Sequence, residues 1–195
     1  QIGLVFHDNS AEDTHLLFYR RAAAGTFLSP QDVTEEAIRA VDLVYFPGVA
    51  LQIGRSAQEA CLKAMDLAQK TGTRLAFDPN MRALQQGGEA LELIRRVVGQ
   101  ADIVTPTANE AYLLTGEKDP RRAAFALREM GATIVAVTLE KQGCWLLTPT
   151  EVAYASAYCV ETVEPTGAGD AFCAALSCGV LQGWPAARLA AYANA

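Results

Sequence analysis

The sequence predicts an α/β fold built on a mostly parallel sheet with helices on both faces. Two observations carry that expectation. Short apolar stretches of strand length alternate with longer amphipathic stretches of helical period, as in strands joined by helical crossovers. Turn-forming and charged residues then gather just past the strand ends, where open α/β sheets bind their ligands.

The elements follow in order. Gln1-Ile2-Gly3-Leu4-Val5-Phe6 has the character of a strand, and His15-Leu16-Leu17-Phe18-Tyr19-Arg20 follows it across the polar turn Asp8-Asn9-Ser10, so the two predict a hairpin. His7 and His15 fall in that hairpin, form no ligand pair and are read as surface residues. Ser29-Pro30-Gln31-Asp32 has the composition of a helix start. Beyond it, strands are predicted over 43–46, 74–77, 103–105 and 134–139, with helices over 56–70, 89–98, 110–115 and 121–130 between them. Gly143-Cys144-Trp145-Leu146-Leu147 predicts a hairpin-like return that leads away from the parallel sheet. No internal repeat or low-complexity segment interrupts the pattern.

Composition narrows the class. A hydrophobic content of 51% over 195 residues is enough for one ordinary domain without disorder. The net charge of −6 and pI near 4.9 leave no basic stripe to meet a phosphate backbone, so nucleic acid is excluded as the expected partner. Cys61, Cys144, Cys159, Cys173 and Cys178 are odd in number and lack Cys-x-x-Cys or Cys/His spacing. Neither a disulfide framework nor a zinc site is suggested, and reduced thiols of a cytoplasmic enzyme are expected. No apolar run approaches the roughly 18 residues of a membrane span, and no charged-then-apolar leader opens the chain.

The chemistry concentrates in Pro165-Thr166-Gly167-Ala168-Gly169-Asp170-Ala171-Phe172. Gly-Ala-Gly is common, and an acidic residue in a first helical turn often only caps it. Three consecutive small residues, however, let a ligand approach the backbone closely, and the helix start offers N–H groups and a positive dipole end to an anion. Because Asp170 precedes the wholly apolar Ala171-Phe172-Cys173-Ala174-Ala175-Leu176, the helix is expected to be buried. The carboxylate would then be partly desolvated, its pKa moved toward the range of a general base. Anion cradle and base together suit phosphoryl transfer to an alcohol.

Further candidates fall at the other strand ends. They are Gly48, then Asp78-Pro79-Asn80-Met81-Arg82, then Thr107 to Glu110. Asp78-Pro79-Asn80 can be an ordinary turn, but a guanidinium at Arg82 could clamp a carboxylate or phosphate. Glu110 at a helix start is explained by the dipole alone, or by holding hydrated Mg²⁺, which prefers one or two carboxylates plus substrate phosphates.

Taken in order, five motifs resemble the ribokinase-like (PfkB-type) carbohydrate kinases. They are Phe18-Tyr19-Arg20, Phe77-Asp78-Pro79-Asn80-Met81-Arg82, Thr105-Pro106-Thr107-Ala108-Asn109-Glu110 with Leu114-Thr115-Gly116, Val137-Thr138-Leu139 with Gly143, and Thr166-Gly167-Ala168-Gly169-Asp170. The resemblance implies a Rossmann-like core with a small β-strand lid, residues 1–30 forming part of the lid and hinge and 31–195 the kinase core. It implies ATP-dependent phosphorylation of a sugar hydroxyl, with Asp170 as general base and Gly167, Ala168 and Gly169 as the anion hole. Thr138, Gly143, Asn194 and Asn80 would contact the nucleotide, and Glu110 would act on Mg²⁺ through water. A monovalent cation near Glu164 and Thr166, and a homodimer formed through the lid, belong to the same expectation.

Two positions depart from the family. Thr107 stands where Asn is usual, and Glu140 stands where Gly is frequent beside the nucleotide, bringing a charge that would repel ATP phosphates. Sugar choice rests on the stretch from Phe18 to Asp32, which looks most like 2-keto-3-deoxygluconate kinases, with fructokinases next. By that likeness Tyr19, Arg20 and Arg82 would bind an acidic sugar. The resemblance also implies a chain lacking the family's first strand with its sugar-binding segment and its last helices, and hence weak or absent turnover by this piece alone. Two other classes bear on the same residues. A non-catalytic nucleotide or sugar regulator draws support from Glu140 and Thr107 but leaves Asp170 without purpose. A dinucleotide oxidoreductase lacks its GxGxxG loop.

Overall fold

Four parallel strands, each reached from the last in the same direction, organise the molecule. The computed structural model describes residues 2–8, 15–19, 23–81, 88–161 and 165–195. β1 (Leu4–Asp8) and β2 (His15–Tyr19) form an antiparallel two-stranded sheet with Leu4 opposite Tyr19, as the hairpin reading requires. A six-stranded sheet follows, made of β3 (Leu43–Pro47), β4 (Arg74–Asp78), β5 (Ile103–Val104), β6 (Ile134–Thr138), β7 (Cys144–Leu147) and β8 (Val152–Ala155), in that spatial order. The connecting helices are α1 (Glu35–Arg39), α2 (Arg55–Thr71), α3 (Gly88–Val98), α4 (Ala108–Thr115) and α5 (Pro120–Glu129); α6 (Ala168–Leu181) and α7 (Ala186–Ala193) close the chain.

Right-handed crossovers that always step the same way put their helices on one face. Accordingly Phe46, Leu75, Phe77, Val104, Val135 and Val137 bury against α2, α3, α4 and α5 in one core. Alternate residues point the other way. Ala76, Ile103, Ala136, Cys144 and Leu146 meet α6 and α7 in a second core. Both faces are therefore covered, and the strands between are apolar on both sides.

The structure corrects three expectations. The segment from Cys144 does not leave the sheet; it pairs antiparallel with β6, Thr138 opposite Cys144, and β8 extends it. β5 is only two residues long because Pro106 has no N–H to continue the ladder. Ser29 forms a capping box with Asp32, but the turn it starts is a three-residue 3₁₀ turn, and α1 begins separately under a Thr34 cap. None of the described helices is long and apolar enough to cross a membrane.

Candidate active site

The start of α6 is built to stay open. Gly167, the N-cap, sits at φ 86°, in the left-handed region that only Gly adopts without strain, and no side chain caps the helix. Ala168 N–H bonds the Pro165 carbonyl at 3.1 Å, and Ala171 N–H begins the helical ladder on Gly167 at 2.8 Å. The N–H groups of Gly169 and Asp170 have no partner among the described residues, and a helix start of this kind can accept an anion. A Cβ placed on Gly167 or Gly169 would have nothing within 4 Å, so small residues here keep space for something other than this chain.

α6 is not buried all round. Phe172, Cys173, Leu176, Ser177 and Gly179 face inward while Ala171, Ala174 and Cys178 face out, and Asp170 is exposed. The expected desolvation of Asp170 is therefore absent: half of the apolar run is alanine, whose methyl adds little area to bury. Asp170 instead accepts a hydrogen bond at Oδ1 from the Tyr45 hydroxyl at 3.1 Å.

Opposite α6, the ends of β4, β5 and β6 close the site. Asn80 takes φ 37°, a conformation Asn tolerates, with its N–H bonded to Asp78 Oδ1 at 3.1 Å. Glu110, buried, accepts the Met81 N–H at Oε1 (2.7 Å) and the Thr107 N–H at Oε2 (2.8 Å), while Thr107 Oγ1 caps the Glu110 N–H at 3.3 Å. This capping box explains Thr107: a hydroxyl serves the N-cap as an amide would. Thr138 N–H bonds the Pro106 carbonyl at 2.9 Å, tying β6 to the same turn. Asn194 Nδ2 donates to the Ala190 carbonyl at 2.8 Å and to Cys144 Sγ at 3.1 Å, pinning the end of α7 to β7. Gly143, at φ 106°, lies so close to β8 that a Cβ would stand 1.9 Å from the Ala155 carbonyl oxygen.

These loops enclose one cleft of about 350 Å³. Asp170, Gly167, Ala168 and Gly169 line one side, and Asn80, Glu110, Thr138, Gly143 and Asn194 line the rest, together with Asp78 and Glu140. Nine predicted residues, drawn from five loops, thus share one space. Tyr19 does not: it is exposed on the hairpin, its ring edge-on to Phe6 at 5.6 Å. Arg20, Arg82 and Glu164 lie outside the described residues, as do the side chains of His7 and His15. Gly48 is explained without a ligand, since a Cβ there would meet the Pro79 carbonyl oxygen at 1.8 Å.

Sequence reasoning missed Tyr45. Its signal was a hydroxyl on an otherwise apolar strand near the carboxyl end. Burial, with Asp78, Cys173 and Asp170 adding negative charge, pushes its phenol well above the ordinary range, so it remains a donor. Burial likewise raises the Cys173 thiol, beneath the same helix start, to about 11.

Glu110 is fitted to a cation only as a minor ligand. Each of its oxygens already accepts one backbone N–H, and an ionised carboxylate keeps further lone pairs for water. Among the described residues no group of three or more His, Cys, Asp or Glu could hold a metal. A divalent ion here would need phosphates as its main ligands, as Mg²⁺ prefers.

Comparison with known proteins agrees with this geometry. The family model described as "pfkB family carbohydrate kinase" matches residues 1–195. "Probable fructokinase-4" of Arabidopsis thaliana is 29% identical over 172 residues, 87% of this chain and 52% of that protein. "2-dehydro-3-deoxygluconokinase" of Bacillus subtilis is 28% identical over 174 residues, 88% of this chain and 54% of that protein. A putative ribokinase II from E. coli, solved with ATP and Mg²⁺, superposes with a TM-score of 0.85 at 30% identity, covering 98% of this chain and 62% of that one. The chain thus spans about half the length of the curated relatives it matches.

Proposed function

The chain belongs to the pfkB family of carbohydrate kinases, and from that premise we propose that its cleft is the phosphoryl-transfer centre of an ATP-dependent sugar kinase. The observation that carries the reading is the meeting of Asp170 and an uncapped helix start with Thr138, Gly143, Asn80 and Asn194 in one cleft. Asp170 takes the proton from the acceptor hydroxyl as that oxygen bonds to the γ-phosphorus and the bond to ADP breaks. The N–H groups at Gly169 and Asp170 stabilise the charge that develops on the transferring group, in a geometry already fixed before reaction. Mg²⁺ entering with ATP supplies charge neutralisation at the phosphates, and Glu110 is the residue proposed to hold it through water.

For the acceptor we infer 2-keto-3-deoxygluconate, on the Tyr19-Arg20 pair and Arg82, with fructose as the second reading. Identities of 29% to a fructokinase and 28% to a 2-dehydro-3-deoxygluconokinase do not separate them. Both are 2-keto sugars, and the charge on the acid is what two guanidinium groups would select. The exposed apolar side chains of Leu4, Phe6 and Leu17 support pairing of two lids in a homodimer. Coupled ADP release by the complete natural protein tests the whole reading, with 2-keto-3-deoxygluconate, fructose, ribose and a nucleoside as acceptors, with and without potassium. Turnover by Asp170→Asn near the wild-type rate would falsify the mechanism.

A further inference from the structure

Tyr45 stands two residues before the end of β3, its position fixed by parallel pairing opposite Ala76, and its hydroxyl reaches Oδ1 of Asp170 on α6. Among the described residues no other side chain hydrogen-bonds Asp170, and Asp170 does not cap its own helix. The terminal torsion of a carboxylate is broad and roughly two-fold. An exposed Asp with no anchor would therefore present either oxygen, in many orientations, to a substrate. A charge-assisted bond to one oxygen selects among those orientations. The donor comes from β3, which is held in the six-stranded sheet by parallel pairing with β4.

We propose that Tyr45 is a positioning residue of the phosphoryl-transfer centre: its O–H holds Oδ1 of Asp170 and leaves Oδ2 to receive the proton of the acceptor hydroxyl. The inference rests on Asp170 being the base, as argued above. A base held only by its backbone would have to be ordered anew at each turnover, and orientation accounts for much of the rate in reactions of this kind.

The test is Tyr45→Phe in the complete natural protein, read as kcat and KM for the sugar at saturating ATP. We expect kcat to fall about 3- to 10-fold while KM for the sugar stays within about twofold. KM for ATP should stay within about twofold, since phosphate contacts at the helix start are untouched. Phe keeps the ring in place, and an unchanged rise in melting temperature on adding ADP verifies the fold. An unmoved kcat, or a rise in KM for the sugar that accounts for the whole loss, overturns the role of Tyr45 alone; Asp170→Asn with full turnover overturns the base assignment beneath it.

Discussion

Glu110 Oε1 accepts the Met81 N–H at 2.7 Å and thereby joins the start of α4 to the loop after β4. With Oε2 on the Thr107 N–H, one buried carboxylate satisfies two backbone donors from separate loops of the cleft. Glu110 therefore shapes the site whatever it does for a cation. Glu110→Ala is expected to destabilise the protein by about 3 kcal/mol, because each abandoned buried donor costs about 1–3 kcal/mol. Urea unfolding without nucleotide or Mg²⁺ measures this. A loss that appears only with Mg²⁺-ATP present would show that the carboxylate serves the ligand and not the loops.

Glu140 is the second residue in the cleft with an architectural side to it. Its φ of 53° lies in the left-handed region, which glycine adopts without strain and glutamate does not. Glu140→Gly relieves strain of about 1–2 kcal/mol but frees a more flexible unfolded chain worth about 0.5–1 kcal/mol. The net stabilisation should be about 0.5–1 kcal/mol. The larger consequence is electrostatic, since a carboxylate lining the cleft repels phosphates. ADP should bind about 3- to 10-fold tighter to Glu140→Gly at low salt, the gain shrinking as salt screens the charge. Calorimetric titration at two ionic strengths reads both; equal affinities for the two proteins would mean that the side chain turns away from the ligand.

Gly169 separates stability from function. It lies in the first turn of α6 at an ordinary φ, and a Cβ there would meet nothing within 4 Å. Gly169→Ala should therefore raise stability by about 0.5 kcal/mol through the unfolded chain. The same methyl would occupy the space proposed for the transferring group, and displacing that group by about 1 Å can cost about 100-fold in turnover. Opposite signs in the melting temperature and in kcat are the expected outcome. If both are unchanged, the helix start is not where the phosphate sits.

How far the sequence discloses this molecule depends on where the physics is local. The alternation of strand and helix between β3 and β6 is legible because each element carries its own period, and Asp170 with its glycines is legible because three small residues and a carboxylate are contiguous at one helix start. The T-x-x-E capping box at Thr107 and Glu110 was also available in the sequence, yet its second partner, Met81, is 29 positions away from Glu110 and is not. Tyr45 and Asp170 lie 125 positions apart and meet only when the sheet and α6 are assembled. The exposure of α6 was hidden by composition: alanine counts as apolar in a run but does not oblige a face to be buried. β8 was overlooked although Val152-Ala153-Tyr154-Ala155 alternates in size, because two of its four residues are alanines with weak strand preference.

The thiols offer a last test of both the core and the helix start. Cys61, Cys144 and Cys173 are buried, while Cys159 and Cys178 are exposed. Burial raises Cys61 and Cys173 from an ordinary 9.0 to about 11, and it raises Cys144 against the opposing hydrogen bond from Asn194. A thiolate is the reactive form, so two of the five cysteines should react with a disulfide reagent in the native protein at pH 8, and all five in denaturant. The sign for stability follows from proton counts. Below about pH 9 folded and unfolded chains both hold these protons; between about 9 and about 11 the unfolded chain releases them first, so stability falls as pH rises. Urea midpoints at pH 8 and 10.5 should differ in that direction, and Cys61→Ala with Cys173→Ala should flatten the difference. Because Cys173 lies three residues beyond Asp170, its labelling in the native state requires the start of α6 to open. ADP should slow that labelling without affecting Cys159, and equal rates with and without nucleotide would argue against an anion at the helix start.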